Sequence, residues 1–182
     1  MATIDEAVEG NMALSLNLGS GDHRIDGFTN VDLYDETADV RADICELPFE
    51  NESVDEIVAY QVIEHVAYNK AEQMFDEMYR VLKMGGTMIT ECPDIEWDAK
   101  QIAETGDINY QNTIHLWGEY YRPWDTKRYK DWEHAAPALH INGFTWKKIQ
   151  QIAEHYGFEV KRLGIEDMVS KFEENLAVLW TK

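Results

Sequence analysis

The chain has 182 residues, 35 of them acidic and 16 basic, for a net charge of −19. That length suits a single core rather than several, and that charge argues against a sequence-independent grip on nucleic-acid phosphates or an anionic membrane surface. No apolar stretch has membrane-spanning length and no charged-then-apolar leader opens the chain, so a cytoplasmic protein with no membrane association is expected.

In chain order, residues 4–12 suit a short helix covering one face of a sheet. Residues 13–18 are nearly all apolar and suit a first strand buried on both faces. The strand breaks at Gly19-Ser20-Gly21. Only about ten residues then lead to Val31, too few for the usual helical crossover between parallel strands, so an abbreviated first connection is expected. Further strands are predicted at 31–33, 40–44 and 56–60. Over 71–83, Met74, Phe75, Met78, Val81 and Leu82 recur three and four apart, which predicts an amphipathic helix ended by Gly85-Gly86. A fifth strand at 87–92 stops at Pro93. Residues 110–137 show no regular periodicity. A helix over 146–156, with Gly157 past its end, precedes strands at 158–163 and 176–181, which can close the sheet as an antiparallel pair.

Several residue types in this order point to a nucleotide cofactor. A glycine turn after a buried strand brings a ligand close to backbone N–H groups, and an acid at the end of the next strand, here Asp32, can accept two ribose hydroxyls. The bland alternatives are turn glycines and a strand-end cap. Cys45 and Cys92 have no metal-ligand spacing and read as reduced, partly buried thiols; no metal site is expected.

The segments Asn17-Leu18-Gly19-Ser20-Gly21, Asn30-Val31-Asp32, Asp43-Ile44 with Leu47-Pro48-Phe49, Ser53-Val54-Asp55-Glu56-Ile57, Glu64-His65, Arg80-Val81-Leu82-Lys83-Met84-Gly85-Gly86 and Pro93-Asp94 follow one another in an order that resembles the small class I S-adenosylmethionine-dependent methyltransferases. The resemblance is good over residues 13–94 and looser beyond. It implies an α/β, Rossmann-like, doubly wound, mostly parallel sheet of about seven strands with a last antiparallel strand, in a single domain spanning 1–182. It also implies S-adenosylmethionine as cofactor. Gly19, Ser20 and Gly21 would cradle its methionine part, Asp32 its ribose, Asp43 and Ile44 its adenine, and Gln61 the neighbourhood of the sulfonium, with Leu33 also among the cofactor-binding residues. Two positions depart from the family: Asn17 stands where an acid is common, and Asp22 where a third glycine is often found. Whether His23 or Arg24 meets the methionine carboxylate stays open.

Methyl transfer to a hydroxyl or amine calls for a base of near-neutral pKa. His65, after the fourth strand, and His140, before the last helix, are the catalytic candidates. Residues 110–137 concentrate aromatic and basic side chains in an otherwise acidic chain, and form a candidate lid or substrate-recognition insertion in which Trp117, Tyr121, Arg122, Arg128 and His134 would meet the acceptor. Alternatively, these aromatics plug an exposed sheet end. The expected activity is O- or N-methylation of a small-molecule or sugar-like polar acceptor, by a protein that can form a homo-oligomer. A catalytically silent cofactor-binding subunit is the alternative, and a nicotinamide oxidoreductase has no place for Asp43 and Glu64-His65.

Overall fold

The computed structural model describes residues 13–118, 139–170 and 173–182. The helix expected at 4–12 lies outside them. Seven strands form one sheet: β1 (Ser15–Leu18), β2 (Thr29–Asp32), β3 (Val40–Arg41), β4 (Val54–Tyr60), β5 (Leu82–Pro93), β6 (Glu159–Arg162) and β7 (Asn175–Thr181), in the order β3-β2-β1-β4-β5-β7-β6. The first five pair in parallel; β7 runs antiparallel to both β5 and β6. This is the expected Rossmann-like arrangement with its antiparallel last strand. The apolar run of β1 is explained by its place between β2 and β4, where Leu16 and Leu18 are buried.

Among the described residues, four α-helices follow the first four strands: α1 (Ala71–Val81), α2 (Ile95–Thr105), α3 (Tyr110–Trp117) and α4 (Trp146–Tyr156). None joins β1 to β2, β2 to β3 or β3 to β4, so the abbreviated crossover applies to all three connections. On one side of the sheet Phe75 of α1 packs against Trp180 of β7, Phe144 and Tyr156 of α4, with ring centroids 5.6, 6.3 and 6.5 Å away. Aromatic area of this kind dominates the energetics of a small core.

Three expectations are corrected. Helix α1 ends at Val81, and β5 begins at Leu82, which pairs with Val54 and is fully buried. Gly85-Gly86 therefore lies inside the strand, where Gly85 adopts φ +79° and the pairing register shifts, instead of terminating the helix. Strand β3 stops at Arg41 because Asp43 folds an Asx turn: its Oδ1 accepts the Cys45 N–H at 2.9 Å and its carbonyl accepts the Glu46 N–H. Residues 110–117 are helical. α3 packs on α2, where the buried Asp98 accepts from Asn112 Nδ2 at 2.8 Å.

Candidate active site

The carboxyl ends of β1, β2 and β4 and the turn after β3 open into one cleft of about 740 Å³. Open parallel sheets bind ligands at this end of their strands. Gly19 and Gly21 line it from the turn after β1, Asp32 and Leu33 from the end of β2, Asp43 and Ile44 from the turn after β3, and Gln61 from the end of β4. The Asx turn that shortens β3 is what frees Asp43 and Ile44 to face the cleft.

Each of these positions has a local cause. Gly19 has φ +64°, and a Cβ built there would lie 2.2 Å from Val62 Cγ2, so the first turn passes too close to the β4 loop for any side chain. Gln61 adopts φ +54°, an uncommon conformation for a residue with a side chain; its N–H is anchored by the Glu91 carbonyl at 2.7 Å. Such backbone strain clusters at ligand sites. The Asp32 carboxylate accepts the N–H of Gly21 on Oδ2 at 2.9 Å, and those of Tyr34 and Asp35 on Oδ1 at 2.7 and 2.8 Å. It thereby ties the first turn to the second while lining the cleft. Ser20 stands apart: its N–H donates to the Val31 carbonyl and its buried Oγ has no partner among the described residues.

The departure at position 17 has a structural reason. Asn17 is buried, and its Nδ2 donates to the His23 carbonyl at 2.8 Å and to Asn30 Oδ1 at 2.9 Å. Both partners are acceptors, so a carboxylate could not replace this amide. Arg24 turns away from the cleft to Asp39 and the Thr37 carbonyl, and His23 sits at the surface beside Asp22. The Arg24 guanidinium braces the β2–β3 connection.

The two catalytic candidates meet. His65 lines the cleft, and His140 contacts it edge-on with ring centroids 4.8 Å apart. His65 Nδ1 lies 3.0 Å from the Leu139 carbonyl, and His140 Nδ1 lies 2.7 Å from the His115 carbonyl in the last turn of α3, where helical carbonyls lack intrahelical partners. A carbonyl only accepts, so both rings carry the proton on Nδ1 and keep a lone pair on Nε2. Burial lowers the basicity of both, that of His140 to about 4. Beside them Glu64 is only 2% exposed, neither carboxylate oxygen has a hydrogen-bond partner among the described residues, and burial pushes its carboxyl up to about 8. Its backbone carbonyl accepts the N–H groups of Ile141 and Asn142, fixing the segment that carries His140.

Of the expected acceptor contacts, Trp117 is half exposed at the end of α3 and does not line the cleft. Tyr121, Arg122, Arg128 and His134 lie outside the described residues. Gly118 and Leu139 pair as an antiparallel bridge next to His140. Both cysteines are free and buried, and burial raises the Cys45 thiol to about 11, as suits inert thiols. The sequence reading missed Val62, which fixes the glycine, and helix α2 with its Asp98–Asn112 contact. Asp94 at the N-cap and Gly106 past the C-terminus were available signals for that helix.

Residues 25–90 match the family model for the methyltransferase domain. No curated protein sequence matches the chain significantly. Among solved structures, a methyltransferase of Thermotoga maritima described as a possible histamine N-methyltransferase aligns over 97% of this chain and 86% of its own, with 17% identity and a TM-score of 0.58. A methyltransferase of Archaeoglobus fulgidus aligns over 94% of this chain and 87% of its own, with 14% identity and the same TM-score of 0.58. A putative methyltransferase of Haloferax volcanii, solved in complex with its activator, aligns over 98% and 88% with 16% identity and a TM-score of 0.53. The chain thus carries a methyltransferase-domain match over residues 25–90 and shares its whole fold with solved S-adenosylmethionine-dependent methyltransferases.

Proposed function

We propose that the cleft binds S-adenosylmethionine and that the chain transfers its methyl group to an oxygen or nitrogen of a small, polar or sugar-like acceptor. The observation that carries this reading is the convergence of Gly19, Gly21, Asp32, Asp43, Ile44 and Gln61 on one cleft from four separate turns. In this reading Asp43 and the Ile44 backbone hold the adenine, Asp32 and Leu33 the ribose, and the Gly19–Gly21 turn with Gln61 the methionine and sulfonium. The acidic lining suits a cofactor with a positive sulfur.

The sulfonium activates the methyl by itself, so the protein's task is to hold the acceptor in line behind it and exclude water; such positioning is worth roughly 7–11 kcal/mol in favourable cases. His65 stands on the cleft wall with an unprotonated Nε2, placed to take the acceptor's proton, and His140 backs it. The fold does not choose the acceptor, because solved proteins sharing it include a carbon methyltransferase and a small-RNA methyltransferase. The net charge of −19 favours a small polar acceptor over a nucleic-acid backbone. Single-turnover transfer of a labelled methyl from S-adenosylmethionine to a metabolite pool tests the reading. Labelled product is expected; cofactor binding with no acceptor ever labelled would support the silent-subunit alternative instead.

A further inference from the structure

We propose that Glu64, His65 and His140 form a binding site for a divalent transition-metal cation at the acceptor end of the cleft. One ligand atom from each residue lies within 4.8 Å of the other two. Metal–ligand bonds of about 2.0–2.2 Å place neighbouring donors roughly 3–3.5 Å apart, so a small rotamer adjustment closes the set. His140 Nε2 already stands 4.0 Å from Glu64 Oε1.

The surroundings are those of a ligand set. Each imidazole donates its Nδ1–H to a backbone carbonyl, of Leu139 and of His115, which fixes the ring and aims the Nε2 lone pair. Metal-binding histidines are oriented by this kind of bond from the other ring nitrogen. Glu64 supplies a carboxylate that is buried and has both oxygens unpartnered among the described residues. An unpaired polar group in such a place costs free energy that a bound cation would remove. Two imidazoles and one carboxylate favour Mn²⁺, Fe²⁺, Co²⁺ or Zn²⁺ over Mg²⁺ and Ca²⁺. Three protein ligands leave positions open, and His65 and Ile141 both face the cleft, so those positions adjoin it. A bound cation would use the lone pair that His65 otherwise offers as a base. An acceptor hydroxyl coordinated in an open position would be acidified there and lose its proton to solvent water, so proton removal stays at the same point of the site.

The test is titration of chelator-stripped protein with Co²⁺, read by its visible absorption bands, with S-adenosylhomocysteine binding measured by calorimetry on the same preparation. Saturation near one Co²⁺ per chain is expected. His140→Asn and Glu64→Gln should each weaken binding by roughly 100-fold or more, beyond the usual loss for an outer-shell change, whereas His155→Ala, at an exposed position on α4, should not. The proposal is overturned if wild type shows no saturating bands, or if both ligand variants bind Co²⁺ as wild type does. Cofactor binding without Co²⁺ binding would remove the cation site and leave the methyltransferase reading standing. Co²⁺ binding without cofactor binding would remove that reading and leave the site.

Discussion

Gly19→Ala and Gly21→Ala form a matched pair that separates close packing from backbone conformation. Both glycines occupy left-handed conformations, with φ of +64° and +45°, and a side chain in that region costs about 1–2 kcal/mol. Their surroundings differ. A Cβ on Gly21 meets nothing within 4 Å, whereas one on Gly19 would lie 2.2 Å from Val62 Cγ2 and 2.7 Å from Val62 Cβ. Overpacking of this kind adds roughly 1–3 kcal/mol, giving Gly19→Ala a total of about 2–5 kcal/mol. At roughly 2–4 °C per kcal/mol for a chain of this size, the midpoint should fall by about 2–8 °C for Gly21→Ala and about 4–20 °C for Gly19→Ala. Thermal denaturation measures both, and calorimetry with S-adenosylhomocysteine should show the larger loss of affinity in Gly19→Ala, whose turn must shift bodily. Adding Val62→Ala should recover only part of the loss, because Val62 Cβ remains too close. Equal losses in the two single variants would refute the argument from close approach.

Asp32→Ala should weaken S-adenosylhomocysteine binding by roughly 1.5–3 kcal/mol, the worth of a charged hydrogen-bonding group. It should also lower the thermal midpoint, since three backbone N–H groups lose their acceptor; unchanged affinity in a folded variant would sink the ribose assignment. In cation-free protein Glu64→Gln should be more stable at pH 7 by up to roughly 3 kcal/mol, because burial raises the carboxyl to about 8 and a neutral amide avoids that cost. A less stable variant in urea titration would contradict the burial argument. Glu77 has its carboxyl lowered, first by its side-chain hydrogen bonds to Arg80 and then by the Leu47 N–H. A folded-state value below the unfolded one means this stabilisation is full above the unfolded pKa of a glutamate and is lost as pH falls through the folded one. Glu77→Gln should therefore flatten the acid side of the stability profile, and an unaltered profile would count against the pairing.

Much of the cleft was legible because its causes are local. A buried apolar strand, a glycine turn and an acid at the next strand end are written in contiguous residues, and the cleft brings Gly19, Asp32, Asp43 and Gln61 together as their order implied. What was not legible depends on distant partners. Nothing near Asn17 in sequence reveals that Asn30 and the His23 carbonyl both require a donor. Helical periodicity alone placed the end of α1 at Lys83, whereas pairing of Leu82 with Val54 starts the strand earlier. His140 is far from Glu64 and His65 in the chain, so no spacing rule would group them; the Ile141 and Asn142 N–H bonds to the Glu64 carbonyl bring them together.

The central claim is that the carboxyl ends of the parallel strands form one adenosyl-sulfonium site. The most direct measurement is a crystal structure of the protein grown with saturating S-adenosylhomocysteine. The account predicts adenine beside Asp43 and Ile44, ribose hydroxyls on Asp32, and the sulfur near Gln61 on the side facing His65. A cleft left empty at saturation, or the ligand bound elsewhere on the chain, would contradict it.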